Sequence, residues 1–367
     1  MNVVVACDSF KGTISSLRIC ELAERAADGF CKLTAIPIAD GGEGTVDCFM
    51  YALGSGARRV SVEIKDLYMR PVTASYCLCG DTAVIETASA AGLDPNRLQV
   101  AQATTYGLGQ LVLSALDNGA RDIIIGLGGS GTNDCGIGMA AALGARFKDI
   151  DGNDVPLCGQ CLSRIEKVDV SALDPRLRFC RVRAACDVDN VLFGPGGAAY
   201  VFAPQKGADA DCVAMLDSGM RSFAKIIMRD FGIDISHDHG SGAAGGLGAA
   251  VKFFLGGELV SGIDLSLDAA GFDAAAADAD LIITGEGCVD MQSLSGKAPY
   301  GVARRCVGKR VVCLCGKKGD GFEHLLDNGI SEIICINPDG VDFDTAAKNC
   351  EKYMYLTLKK LISDGER

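Results

Sequence analysis

Residues 281–297 have the sequence Leu-Ile-Ile-Thr-Gly-Glu-Gly-Cys-Val-Asp-Met-Gln-Ser-Leu-Ser-Gly-Lys. The apolar run Leu281–Ile283 predicts a short buried strand that ends at the glycines. Glycines after a strand let a ligand approach the backbone, and a helix that is opened by Ser295-Gly296-Lys297 would offer its first N–H groups to an anion. Two carboxylates beside a lysine in such a loop suggest a metal-bound phosphate. The stretch therefore points to phosphoryl transfer.

The two ends of the chain share an alternating pattern of strands and helices. At the N-terminal end, strands are predicted at Val3–Cys7 and Thr34–Ala39, and at the C-terminal end at Val311–Leu314 and Glu332–Ile336. Because 367 residues exceed what one hydrophobic core usually covers, two domains are expected. The patterns predict an α/β fold with one Rossmann-like, doubly wound parallel sheet built from both termini.

The middle of the chain has a different character and predicts an inserted domain. Short β-rich runs between residues 60 and 88 are typical of an antiparallel meander. Further strands are expected near Arg181–Ala185 and Ala198–Phe202, and a helix at 210–231. We therefore expect a Rossmann-like domain of residues 1–60 plus 270–367 and an inserted mixed α/β domain of residues 61–269, with the active-site cleft between them.

Composition and charge restrict the classes of partner. The net charge of −12 and the pI near 4.8 argue against nucleic acid or an anionic membrane surface. No segment approaches the ~18 apolar residues of a spanning helix, and the N-terminus lacks the basic region of a signal peptide. Eighteen cysteines without a secretory signal favour a reducing compartment, so a cytoplasmic protein is expected. We expect a monomer or a homodimer that acts on small molecules.

Polar and glycine-rich loops follow five predicted strands. Ligands of open parallel sheets bind beyond the carboxyl ends of the strands, so these loops are expected to meet at one edge. Any one of them would also suit an ordinary turn or helix cap, but five at five strand ends favour a site. The loops are Asp8–Gly12, Ala39–Thr45, Gly126–Asp134, Cys186–Asn190 and Thr284–Lys297.

Phosphoryl transfer requires positioning, cations and a divalent metal, and these loops can supply each. Asp187, Asp189 and Glu286 are candidate Mg²⁺ ligands, because Mg²⁺ binds one or two carboxylates and keeps several waters. The backbone of Gly128–Gly131 and the hydroxyls of Ser130 and Thr132 could surround phosphate oxygens. Lys11, Lys206 and Lys297 could neutralise the transferring group or a substrate carboxylate. Asp8, Asp40 and Asp189 compete as acceptor of the hydroxyl proton.

Several known signatures do not fit. A P-loop would need Gly at Met291 and Ser or Thr at Ala298, and the Gly-x-Gly-x-x-Gly spacing at 126–131 is misplaced for a dinucleotide site. The Asp187-Val188-Asp189 pair leaves an aspartyl-phosphate phosphatase or mutase open. A two-domain ligand sensor without chemistry is the alternative that is not an enzyme.

Taken together, the loops resemble those of the type I glycerate kinases, along essentially the full length of the chain. This resemblance implies ATP- and Mg²⁺-dependent phosphorylation of D-glycerate, typically at the 2-hydroxyl, by two α/β domains with a cleft between them. Cys288 and Met291 depart from the Arg and Gly that are usual in the family, so the anion-binding part of position 288 is in doubt. The matching motifs are Asp8–Gly12, Ala39–Thr45, Gly128–Asp134, Cys186–Asn190, Pro204–Ala208, Gly242–Gly248, Thr284–Gly287 and Ser293–Lys297.

The predicted site residues fall into four groups. The catalytic group is Asp189, Lys11, Asp8 and Asp40. The substrate-binding group is Ser9, Arg70, Lys206, Lys297 and Ser295, in which Arg70 is included for the bidentate fit of arginine to carboxylates. The nucleotide- and phosphate-binding group is Gly128, Gly129, Ser130, Thr132, Asn133, Gly285 and Gly287. The metal-binding group is Asp187, Asp189 and Glu286.

Overall fold

The structure is a computed structural model that describes residues 1–364, without the side chains of Ser295 and Asp364. The contacts between Cα atoms divide the chain into two compact units. The first unit comprises Met1–Asp40, Asp47–Gly54 and Ser261–Arg367, and the second comprises Gly41–Val46 and Ser55–Val260.

Strands and helices alternate through most of the chain. The strands are β1 (Asn2–Cys7), β2 (Lys32–Ala35), β3 (Ala57–Lys65), β4 (Pro71–Cys79), β5 (Thr82–Glu86), β6 (Asp122–Gly126), β7 (Arg146–Lys148), β8 (Lys167–Asp169), β9 (Arg181–Ala185), β10 (Glu258–Val260), β11 (Leu281–Val289), β12 (Val311–Lys318) and β13 (Glu332–Cys335). The α-helices are α1 (Ser16–Ala27), α2 (Thr45–Leu53), α3 (Thr87–Ala91), α4 (Tyr106–Asp117), α5 (Ile137–Ala142), α6 (Ala198–Phe202), α7 (Ala210–Phe231), α8 (Ala243–Leu255), α9 (Gly262–Ala269), α10 (Phe272–Ala277), α11 (Ala298–Arg305) and α12 (Phe343–Asp364). Short 3₁₀ turns lie at Gly54–Gly56, Val100–Gln102, Gly159–Arg164, Pro175–Phe179, Pro204–Lys206, Met291–Ser295 and Phe322–Asn328.

The first unit is built on a parallel sheet with strands from both ends of the chain. Its order is β13-β12-β11-β1-β2, and every neighbouring pair is parallel. Numbered within this unit, the order is 2-1-3-4-5, one of the two common doubly wound arrangements. The sheet changes direction of winding between β1 and β11.

Both faces of this sheet are covered, which explains the continuous apolar run of β1. Val4 packs into one core cluster with residues of α9, α10 and α11, whereas Val3 and Val5 pack into another with residues of α1 and α12. Successive side chains of a strand point to opposite faces, so a strand covered on both faces needs apolar residues at every position. The expected α/β architecture is thus confirmed for the first unit.

β11 is longer than the sequence predicts. The apolar run ends at Ile283, but the strand continues to Val289 and stays paired with β12 as far as Lys318. Gly285 and Gly287 therefore lie within a strand and not in a loop. An added Cβ at Gly285 would collide with the carbonyl oxygen of Leu314, so this glycine allows close packing of the backbone of β12.

The second unit contains a mixed sheet of order β10-β9-β6-β5-β4-β3 and a small β7-β8 pair. β3, β4 and β5 are antiparallel neighbours, which confirms the predicted meander, and β5, β6, β9 and β10 are parallel. One core cluster joins this sheet to α4, α5, α7 and α8. The 22 residues of α7 coincide with the predicted helix, since Asp209 caps its first turn and Gly232 ends it in a left-handed conformation.

The predicted strand at Ala198–Phe202 is wrong, because these residues form the short helix α6. Ala198 and Ala199 are good helix formers and are buried, and the alternating pattern is only five residues long. Within the described residues 1–364, no helix combines the length and the apolar character needed to cross a membrane.

Candidate active site

The first unit has a cavity at the point where its sheet changes direction. Ligands of doubly wound sheets bind outside the carboxyl ends of the strands at such a point. The cavity volume is about 340 Å³. Predicted site residues that line it are Asp8, Ser9, Lys11, Asp40, Glu286, Gly287 and Lys297.

Asp8 follows β1 directly and is the most perturbed carboxyl group of this cavity. Only 5% of the residue is exposed, and its carboxylate accepts a hydrogen bond from the backbone N–H of Ser9 at 2.7 Å. Burial, and then the negative charge of Asp40, raise the pKa of Asp8 to about 8. A carboxyl group with such a pKa can exchange a proton near neutral pH.

Lys11 and Asp40 form an ion pair beside Asp8. The Lys11 Nζ lies 3.4 Å from the Asp40 Oδ2, and most of the lysine side chain is exposed to solvent. The negative charges of Asp40 and then Asp8 raise the pKa of Lys11 against the effect of burial. Lys11 therefore carries a positive charge at neutral pH and is accessible to an anionic ligand.

Glu286 lies on β11 and is held by a lysine and a serine. Its Oε1 accepts a hydrogen bond from the Ser293 hydroxyl, and its Oε2 lies 3.4 Å from the Lys297 Nζ. Burial raises the pKa of Glu286, whereas Lys297 and Ser293 oppose this shift. Lys297 also lies 3.9 Å from Asp290, so it is shared between two carboxylates.

Two predicted residues of the first unit contribute in other ways. The carbonyl of Gly285 accepts the backbone N–H of Asp8 at 2.9 Å, which ties the end of β1 to β11. Ser295 lies in a 3₁₀ turn, but its side chain falls outside the described residues, so its assignment stays a prediction.

Several residues that line the cavity were not among the predicted site residues, and they include a lysine, an asparagine, a cysteine and a phenylalanine. Lys317 lies near the end of β12, Asn337 follows β13, Cys288 lies on β11, and Phe343 begins α12. Lys317 and Asn337 could have been found by applying the strand-end rule to β12 and β13. Phe343 carried no signal in the sequence, because an isolated aromatic at the start of a helix is common.

The second unit contains the glycine-rich loop that follows β6. The N–H groups of Gly128 and Gly131 donate to the carbonyls of Gly41 and Ala91, at 3.0 and 2.8 Å. These two amides are therefore engaged within the protein, and a phosphate would have to use other donors of the loop. An added Cβ at Gly129, whose φ is +73°, would meet Ala88 at 3.1 Å, so α3 packs close to the loop.

Lys206 supports this loop from within the protein. Only 3% of Lys206 is exposed, and its Nζ donates to the Ser130 hydroxyl at 3.1 Å and to the Thr132 carbonyl at 2.8 Å. Burial lowers the pKa of Lys206 to about 7, and the carboxylate of Asp134 opposes the shift. The predicted role of Lys206 in binding substrate remains a prediction, and its observed contacts are with the loop.

Three side-chain atoms of the loop are buried without a hydrogen-bond partner among the described residues. They are the Thr132 hydroxyl and both the oxygen and the nitrogen of the Asn133 amide. Buried polar atoms are nearly always paired, so each such atom needs an explanation. Atoms of this kind are suited to bind the polar groups of a ligand. The hydroxyl of Thr87, at the start of α3, is a further such atom that the sequence analysis missed.

The acidic loop after β9 presents one well-exposed carboxylate. The side chain of Asp189 is 83% exposed, and its Oδ1 lies 3.7 Å from the Nδ1 of His239. Asp187 is more buried than Asp189. Within residues 1–364, no three His, Cys, Asp or Glu residues are arranged to hold a metal ion. The donors of this loop are carboxylate oxygens, which fit Mg²⁺, since that ion needs one or two carboxylates besides water and phosphate.

Arg70 already binds a carboxylate of its own chain. Its Nε and its terminal nitrogen each lie 2.6 Å from the Oδ2 of Asp66. A substrate acid would therefore compete with Asp66 for this guanidinium group.

Comparisons with known proteins agree with the fold. The sequence profile described as "Glycerate kinase family" matches residues 3–364. A glycerate kinase from Bacillus subtilis (strain 168) is 39% identical, over 99% of this chain and 97% of that protein. A glycerate 2-kinase from Escherichia coli (strain K12) is 40% identical, over 92% of this chain and 90% of that protein.

A solved structure supports the same assignment. The crystal structure of a protein named provisionally as glycerate kinase 2, from Salmonella typhimurium LT2, superposes with a TM-score of 0.85. It is 38% identical and covers 99% of this chain and 98% of that one. Profile, full-length relatives and structure thus converge, and the chain belongs to the glycerate kinase family of enzymes.

Proposed function

We propose that this protein transfers the γ-phosphate of ATP to D-glycerate and releases 2-phosphoglycerate and ADP. The observation that carries the proposal is the cavity of the first unit, in which buried Asp8 lies beside Lys11, Glu286 and Lys297 in a chain of this family. A buried acid and accessible cations are what a hydroxyl acceptor and a phosphoryl group require.

Asp8 is proposed as the group that accepts the proton of the glycerate hydroxyl. Its pKa of about 8 makes it a stronger base than an ordinary aspartate once it is ionised. Asp40 and Asp189 were the competing candidates. Asp40 pairs with Lys11, and Asp189 is largely exposed, so both are less suited to hold a proton away from water.

The anions are proposed to be held by lysines and by the loop of the second unit. Lys11 and Lys297 would neutralise the charge of the bound anions at the cavity of the first unit, and Ser9 and Ser295 would be further substrate contacts. Ser130, Thr132 and Asn133 would bind phosphate oxygens, because the unpartnered atoms of Thr132 and Asn133 lack hydrogen-bond partners in the protein. That the units cooperate in one reaction stays a prediction.

Mg²⁺ is proposed as the metal cofactor, with Asp187, Asp189 and Glu286 as candidate ligands. When bound, the ion would neutralise phosphate charge that develops during transfer. Asp187 and Asp189 belong to the second unit and Glu286 to the first. Removal of Mg²⁺ by a chelator should abolish turnover, and replacement of Asp189 by Asn should raise the Mg²⁺ concentration needed for half-maximal rate.

A coupled assay for ADP formation with D-glycerate, ATP and Mg²⁺ tests the proposed function. L-glycerate, glycolate and lactate serve as acceptor controls, and a proton–phosphorus NMR correlation identifies the phosphorylated hydroxyl. Turnover with D-glycerate and a phosphorus coupling to the proton on the second carbon are expected. Absence of ADP formation with D-glycerate, from enzyme shown to be folded, would reject the substrate assignment.

A further inference from the structure

Two sets of side chains of different chemistry line the cavity of the first unit, and each set is called an end of the cavity. One end contains the carboxylates and lysines described above. The other end is formed mainly by apolar side chains of the loop after β1, the segment after β13 and the first turns of α12. Those that matter here are Phe10, Ile336, Phe343, Ala346 and Cys350.

Glycerate does not account for the apolar end. Every carbon of this small acid carries an oxygen, so it has no apolar group to bury. The cavity volume of about 340 Å³ lies in the range of pockets for drug-sized ligands, roughly 300–1,000 Å³. A larger ligand with a flat apolar part and an anionic part matches both ends.

Phe343 is the most unusual of these apolar residues. It begins α12, lines the cavity and is 75% exposed, whereas Phe10 on the same cavity is only 3% exposed. An aromatic ring left in water forfeits the free energy that its burial would provide. A planar ligand that covers the ring would recover part of it.

Two glycines keep space open in the cavity between these two sets of residues. An added Cβ at Gly287 would lie 3.3 Å from the Cα of Phe10, and one at Gly316 would lie 3.0 Å from the carbonyl oxygen of Gly287. Larger residues at either position would crowd the backbone beside Phe10. The space beside these glycines thus allows a ligand to extend from the apolar to the charged end of the cavity.

We propose that the apolar end binds the nucleoside of the nucleotide, with the base stacked on Phe343 and the phosphates directed towards Lys11 and Lys297. This inference rests on the proposed kinase activity and adds the place of the base to it. Charge complementarity supports this direction of binding, because Lys11 and Lys297 line the same cavity as Phe343 and carry the charge opposite to that of the phosphates.

The first test replaces Phe343 with Ala. Because the ring is largely exposed, its removal should leave the fold intact. The stacking of a base on an aromatic side chain is worth enough that the KM for ATP should rise about tenfold. The KM for D-glycerate should change less than about twofold, since the acid binds at the other end. The matched control is Phe179→Ala, because Phe179 is also exposed, at 78%, and is not among the residues that line the cavity.

The second test fills the apolar end. Ala346→Leu should weaken ADP binding about tenfold or more, because the added side chain occupies the space of the base. Lys360→Leu, at an exposed position of α12 that does not line the cavity, controls for an added leucine on this helix. Calorimetric titration with ADP measures binding without turnover, and thermal melting verifies that each variant is folded.

The outcomes separate the two proposals. If the wild-type enzyme binds ADP and both cavity variants weaken this binding, the inference holds even where glycerate is not the acceptor. If glycerate is phosphorylated but Phe343→Ala and folded Ala346→Leu bind ADP as the wild type does, the nucleoside lies elsewhere and the inference is wrong. If the cavity variants show a raised KM for glycerate and an unchanged KM for ATP, the cavity binds the acid, and the inference is also wrong.

Discussion

Asp8 combines two properties that oppose each other. Its position at the end of β1 directs it into the cavity, and its burial beside Asp40 makes its ionised form costly. Burial of a carboxyl group without a full set of partners lowers the stability of the protein but provides a base near neutral pH.

The pH dependence of activity should report Asp8. Because a base works in its ionised form, kcat/KM should rise with pH and level off above about pH 8, the pKa of Asp8. Asp8→Asn should lower kcat by ~10²–10⁴-fold, and it should remove the rise of kcat/KM with pH that is due to Asp8. Asp28→Asn, at an exposed position, serves as the control. A variant that keeps the rising limb would show that another group is the base.

The same substitution should stabilise the protein at high pH. Between the unfolded pKa of 3.8 and the folded pKa of about 8, the folded protein keeps a proton that the unfolded chain has lost. Stability from this group therefore falls as pH rises through that window. At pH 9 the melting temperature of Asp8→Asn should exceed that of the wild type, by about 2–4 °C for each kcal/mol of folding free energy that the substitution restores. This difference in melting temperature should become smaller towards pH 4. Equal differences at both pH values would contradict the burial argument.

Lys206 has the opposite pH dependence. Its folded pKa of about 7 lies below the value of 10.5 in the unfolded chain, so the unfolded chain binds more protons between these values. The contribution of Lys206 to stability thus rises with pH through this window. The difference in melting temperature, Lys206→Met minus wild type, should therefore be more positive at pH 6 than at pH 10. The same variant should raise the KM for ATP if the Ser130–Thr132 loop binds phosphate. Thermal melting and initial rates test both points, with Lys225→Met on α7 as control.

Strands and helices were predicted best where the pattern was long. The 22-residue helix α7 and the meander β3–β5 followed from periodicity and turn residues, whereas the five-residue stretch of α6 did not. β2 ends at Ala35 although the apolar residues continue to Ala39. The length of a strand depends on how far its neighbours extend, which a local pattern does not contain.

β11 shows how a strand can hold a site. Its two glycines lie within the strand, and Glu286 between them faces the cavity. Gly285→Ala should destabilise the first unit by about 1–3 kcal/mol, because its Cβ would strike the backbone of β12. Denaturant unfolding measures this loss. Gly196→Ala, where an added Cβ would meet nothing within 4 Å, should have little effect. Equal stability of both variants would show that β12 can move aside.

Across the whole chain, the cysteines provide a check on the fold. The 18 cysteines lie within the described residues as thiols, and Cys288 on β11 is the exposed one among them. With a thiol reagent at pH 8.5, one thiol should react fast in the native protein and 18 after denaturation. Because Cys288 lines the cavity, ADP should slow the fast reaction. Several fast thiols would contradict the described packing. No protection by ADP, with Cys288→Ser as reference, would contradict nucleotide binding in this cavity.

Local patterns in the sequence are enough to predict the α/β class, the sharing of one parallel sheet between both chain ends, and the loops that we propose to carry the chemistry. These features follow from local periodicity and from the rule that parallel strands place their carboxyl ends at one edge. Folding of the whole chain is needed to bury Asp8 beside Asp40, to bring Lys206 under a loop and to place Phe343 at the cavity. Burial and pairing arise from residues far apart in the chain, and these set the pKa values and the shape of the site.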